Sequence, residues 1–95
     1  MDKLVVDKID KDLEAIQQKF ETELFPHINE EKMGAVMTAR SAKMLLIKLK
    51  DLQNREKLIT TPQQLESLVS QKMNILFTLE ATANSLEFIL FNKFV

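Results

Sequence analysis

The chain has 95 residues, a net charge of −1 and no cysteine, tyrosine or tryptophan. That size means one domain, and the missing cysteine excludes disulfide and thiolate chemistry while fitting a reducing, cytoplasmic setting. One glycine and two prolines are too few for the turns of an all-β chain, and no apolar run approaches the twenty or so residues of a membrane span. The first ten residues lack the apolar core of a signal peptide, so no export is expected.

Charge divides the chain into three helix-sized segments. Residues 2–31 carry nine acids against four lysines, and residues 32–61 carry seven cations against Asp51 and Glu56. Residues 62–95 hold only Glu66, Lys72, Glu80, Glu87 and Lys93. An acidic, a basic and a sparsely charged apolar segment are expected to pack together, with the last most deeply buried.

Helix 1 is predicted over about residues 3–24. Val6, Ile9, Leu13, Ile16 and Phe20 step by three and four and so share one stripe. Asp2 is the expected N-cap, and Pro26 ends the segment because it cannot donate a backbone hydrogen bond and disfavours the helical conformation at Phe25.

Helix 2 is predicted over about residues 30–59, starting after Asn29. Its stripe is Ala35, Thr38, Ala42, Leu45, Leu49, Leu52 and Ile59, with Met33, Met37, Met44 and Ile47 expected to widen the apolar sector. Gly34, Thr38 and Ala42 form a ridge of small residues, suited to close packing within the bundle or to a dimer crossing.

Helix 3 is predicted over about residues 62–93. Thr61 followed by Pro62 and, three residues on, Gln64 is a capping box with proline in the first helical position. The main stripe is Leu65, Val69, Leu76, Leu79, Ala83, Leu86 and Leu90, with Phe77, Phe88 and Val95 on a second face and Ile75 and Ile89 on the other flank. Unbroken, a helix of this length spans about 45 Å. The expectation is therefore either a slim rod of three helices or a break at residues 82–85, near Asn84.

The fold expected is all-α, a single domain built as an antiparallel bundle of three long helices, or four if the last one breaks. A hairpin of helices 1 and 2 would set Lys3 near Asp51, Asp7 near Lys48, Asp12 near Lys43 and Glu14 near Arg40. Across the next turn, Arg55 would approach Glu66, and Arg40 or Lys43 would approach Glu80. Exposed pairs of this kind are worth about 0–1 kcal/mol each, so they choose register more than they stabilise.

Catalytic chemistry finds little here. Glu23, His27, Glu30 and Glu31 lack the paired Glu-x-x-His motifs of a di-metal bundle, so no metal is expected. Asp7, Asp10 and Glu14 share a face that reads more simply as solvated, and the lone Gly34 cannot form a phosphate-cradling loop. No catalytic residue and no cofactor is expected. Nucleic-acid binding through Arg40, Lys43, Lys48, Lys50, Arg55 and Lys57 is disfavoured by the near-zero net charge and the lack of an aromatic platform, since the six phenylalanines hold core-like positions.

What remains is the excess apolar circumference of helix 3. The expected function is a non-catalytic protein–protein interaction module or regulator, self-associating as a homo-oligomer, most simply a homodimer. Its interface residues would be Phe77, Phe88, Ile89, Phe91 and Phe94, with Gly34, Thr38 and Ala42 as a further contact. The alternative is an inhibitor or chaperone of one specific target protein, as an immunity protein or secretion chaperone is. That comparison rests on size and helical class, with no motif behind it.

Overall fold

The computed structural model describes residues 3–91. It contains three helices, α1 (Lys3–Lys19), α2 (Met33–Glu56) and α3 (Pro62–Phe91), with no strand among the described residues. The expected cap Asp2 and the terminal Phe94 and Val95 lie outside the described residues.

The first helix does not run on regularly to Leu24. It widens into a π-helical turn over Phe20–Leu24, where the Phe25 N–H donates to the Phe20 carbonyl, and then tightens into a 3-10 turn over Phe25–His27. Pro26 explains the change, because it offers no N–H to continue the α-helical ladder. The second helix starts three residues later than expected and ends at Glu56. Asn29 does not cap it: its side-chain oxygen accepts from the Glu31 N–H at 3.0 Å and closes a local turn instead.

At the start of α3 the threonine cap is in place, the half of the capping box that Thr61 supplies. Thr61 Oγ1 accepts from the Gln64 N–H at 3.3 Å, and the Thr61 carbonyl accepts from the Leu65 N–H at 3.2 Å. The break considered near Asn84 does not occur. Ala83 and Leu86 are buried on either side of it, and the hydroxyls of Thr78 and Thr82 donate back to the carbonyls of Asn74 and Thr78. The molecule is accordingly a slim rod of 47 × 22 × 17 Å with a radius of gyration of 14.7 Å.

α3 is the element against which both others pack, while α1 and α2 approach each other far less closely. Its stripe of Val69, Leu76, Leu79, Ala83 and Leu86 meets Ile9, Leu13, Phe20 and Leu24 from the first segment and Ala35, Ala42, Leu49 and Leu52 from α2. The start of α2 lies beside the end of α3: a methyl group on Gly34 would stand 3.9 Å from Ile89 Cδ1, and Lys32 Nζ donates to the Ile89 carbonyl at 3.5 Å. The end of α2 lies beside the first third of α3, where Glu56 meets Lys72.

Lys72 is the unexpected member of this core. It is only 1% exposed, yet it sits on the inward stripe of α3. Its ammonium donates to Asp10 Oδ1 of α1 and to Glu56 Oε2 of α2, both at 2.8 Å, so one cation ties all three helices. Burial alone pulls the Lys72 pKa down and is the largest single influence. The hydrogen bonds and negative charges of Asp10 and Glu56 together outweigh it and hold the pKa above its ordinary 10.5. A second ion pair joins Lys19 of α1 to the buried Glu87 further along α3.

The charge pairing expected between helices 1 and 2 is not what the structure uses. Among the described residues none of the six cross-helix matches forms an ion pair; Asp12 bonds Lys8 and Arg55 bonds Asp51 within their own helices. For the pairs between helices 1 and 2 the reason is the placement of α3, against which both pack in place of each other; its own ion pairs go to Asp10, Lys19 and Glu56 instead. Lys43 is drawn instead over the Phe25 ring, 5.1 Å from its centroid.

Two outcomes follow for stability. Leu49→Ala, at a fully buried site, is expected to cost about 2–5 kcal/mol in chemical denaturation, against about 0.5 kcal/mol or less for the exposed Met44→Ala. Around Lys72 the cost should be asymmetric. Asp10→Asn with Glu56→Gln strands a buried cation and should cost about 3–5 kcal/mol, whereas Lys72→Met leaves two carboxylates that reach water and should cost less. Because the folded pKa of Lys72 is raised, its contribution is complete below about pH 10.5 and is lost as pH rises through the folded value. Thermal melts of the native chain should therefore fall more steeply above about pH 10.5 than melts of Lys72→Met.

Candidate functional site

The residues that remain outward on α3 are the ones the core does not use. Phe77, Ala81, Asn84, Phe88 and Phe91 follow one another at steps of four, three, four and three, which lines them up along one side of a helix. All five are exposed, and the rings of Phe77, Phe88 and Phe91 are on residues 58%, 40% and 42% accessible. This run is the outward crest of the helix. On one side lies a groove shared with α1, lined by Asp12, Ile16, Lys19, Glu80 and Asn84. On the other lies a groove shared with α2, lined by Thr38, Ser41, Thr78, Ala81, Thr82 and Ser85.

The crest carries no charge. Between Lys72 and Lys93 the chain offers only Glu80 and Glu87. Glu87 is buried against Lys19, and Glu80 belongs to the α1 groove. A solvated helix face ordinarily carries charged residues, so a row of five exposed positions with three phenylalanines and no ionised member, flanked by the single exposed Glu80, departs from that norm. The rings are also held in place: Phe91 meets His27 edge-on with centroids 5.4 Å apart.

The other residues expected at an interface fall elsewhere. Ile89 is half-buried against Gly34 and the core, so it belongs to the α2–α3 packing. Ala42 is fully buried, Thr38 lines the α2–α3 groove, and the Thr38 hydroxyl donates to the Gly34 carbonyl at 2.7 Å. The small-residue ridge therefore serves the close approach of α2 to α3, and Phe94 lies outside the described residues. The phenylalanines do not all hold core positions either. Phe20 is buried and Phe25 half-buried, while Phe77, Phe88 and Phe91 face out.

α2 presents a second apolar stripe, formed by the residues expected to widen its apolar sector. Met33, Met37, Met44 and Ile47 are each more than half exposed, on the side of α2 opposite its buried Ala35, Ala39, Ala42 and Leu49. Two exposed cations, Arg40 and Lys48, share that side. The buried alanines let α2 lie close to α3 with its inner face alone, and the outer face stays exposed among the described residues.

Among the described residues no group of histidines, cysteines, aspartates and glutamates is placed to hold a metal ion, and no helix is long and apolar enough to cross a membrane. His27 is an exposed turn residue packed on Phe91, apart from any acidic cluster. Asp10, one of three acids sharing a face of α1, is committed to Lys72. Comparison of the chain with protein-family models, with curated proteins and with solved structures found no match.

Proposed function

We propose that the chain is a non-catalytic protein–protein interaction module that self-associates through the outward crest of α3. The observation that carries this reading is the uncharged, aromatic surface formed by Phe77, Phe88 and Phe91 on an otherwise charge-rich molecule. Exposed aromatic rings gain most from removal from water, and a neutral face can meet its own copy without like-charge repulsion. A cytoplasmic location belongs to the same proposal and rests on the absence of cysteine.

A second reading, the binding of one specific foreign target as an inhibitor or chaperone does, is favoured by the α2 stripe. Methionine adapts to varied surfaces, and Arg40 and Lys48 beside the stripe suit an acidic amphipathic partner. The same cations make this face a poor one for contact between copies.

Sedimentation velocity separates the two. Self-association through α3 should give a concentration-dependent dimer at about 10–200 μM that Phe77→Asp abolishes, while circular dichroism and folding stability stay within about 0.5 kcal/mol of the native chain. A monomer throughout that range removes the first reading. A dimer lost on Met37→Asp but kept in Phe77→Asp would move the interface to α2.

A further inference from the structure

The crest of α3 is self-complementary, and its spacing specifies how two copies meet. From Phe77 to Phe88 the order is large, small, polar and large: Phe77, Ala81, Asn84, Phe88. Read from the other end, the order is again large, small-to-medium, small and large. Two such helices laid head to tail about a two-fold axis between Thr82 and Ala83 would oppose Phe77 to Phe88 at both ends and Ala81 to Asn84 in the middle.

We infer that the partner of this face is a second copy of the chain, docked in this head-to-tail register; the inference rests on the self-association proposed above. Three physical points support a second copy. The first is charge: none of the five crest residues is ionised, Glu80 lying beside the row at the edge of the α1 groove, whereas a charged partner would have its own groups desolvated without compensation. The second is shape. Small residues at the centre permit close approach of the two helices while the rings close both ends.

The third is area. At about 200 Å² for a phenylalanine side chain, the exposures of Phe77, Phe88 and Phe91 leave roughly 280 Å² of ring surface on each copy. Two copies then contribute roughly 560 Å², about a third of a standard interface near 1,600 Å². The uncharged groove on the α2 side, with Thr38, Ser41, Thr78 and Ser85, would add to it, and an area this far below the standard makes the expected complex a weak, reversible dimer. Asn84 has a definite part in it. A single polar residue in an apolar helix seam costs stability and fixes register, because any shifted pairing buries its amide against hydrocarbon. With the helices head to tail about that axis, the two Asn84 amides lie either side of it, close enough to bond to each other.

Because the chain has no cysteine, one introduced thiol reports the geometry alone. A spin label on Glu66→Cys, an exposed position well clear of the paired segment, is read by double electron–electron resonance in a sample shown by sedimentation to be dimeric. The two labels stand 33 helical residues apart in this register, so the expected distance is about 50 Å. A distance near 32 Å would mean fully overlapped helices and overturn the register. A distance under about 25 Å would mean parallel pairing and overturn the head-to-tail sense. Either result leaves self-association standing, whereas a sample that sediments as monomer at about 200 μM overturns both that proposal and this inference. Asn84→Leu supplies the second arm: it should keep the dimer but broaden the 50 Å distribution toward shifted registers, and an unchanged narrow peak would remove Asn84 as the register-setting residue.

Discussion

One buried cation organises this molecule. Lys72 stands on the inward stripe of α3 and reaches a carboxylate on each of the other two helices. An unpaired ammonium in that position would be prohibitive, so folding must deliver Asp10 and Glu56 to it together. That requirement sets the rotation of α3 about its own axis. Once Lys72 points inward, Leu76, Leu79, Ala83 and Leu86 follow on the same side, and Phe77, Ala81, Asn84, Phe88 and Phe91 are left outward. A buried ion pair is seldom a large net source of stability; its effect is on which arrangement forms. The core and the exposed crest are thus two consequences of a single constraint.

The arrangement also gives α3 two jobs. Its inner half supplies the core for α1 and α2, which barely meet each other, and its outer half carries Phe77, Phe88 and Phe91 among polar residues. In a larger protein another helix would cover that outer half. Among the described residues no further helix does so. Under the self-association proposed above, a second copy would cover it and bury both surfaces at once. The α2 stripe differs in kind: methionine rather than phenylalanine, with Arg40 and Lys48 alongside.

Much of the fold was legible in the residues. The period of three and four places Ile9, Leu13, Leu49, Leu76, Leu79 and Leu86 inside, and all six are buried. Thr61 and Pro62 mark the start of α3 to the residue. What the pattern does not settle is which side of a doubly apolar helix faces in. Met33, Met37, Met44 and Ile47 repeat at helical spacing just as Ala35, Ala42 and Leu49 do; only the tight packing against α3, which admits alanine better than methionine, decides between them. Lys72 left a readable trace. The stripe Leu65, Val69, Leu76, Leu79 steps by four, seven and three, and the gap in the seven is filled by Lys72. A charged residue there has to find partners, and only the assembled helices show that Asp10 and Glu56 are the ones.

The self-association proposed for α3 stands or falls on which amides sense a neighbour. Backbone amide spectra of the labelled protein, recorded over a dilution series, read this residue by residue. Signals from Phe77, Ala81, Asn84 and Phe88 should shift with concentration, while those of Met33, Met37, Met44 and Ile47 stay fixed. Shifts confined to the α2 residues, or a spectrum that does not change with concentration, would contradict the assignment of the α3 crest as the contact surface.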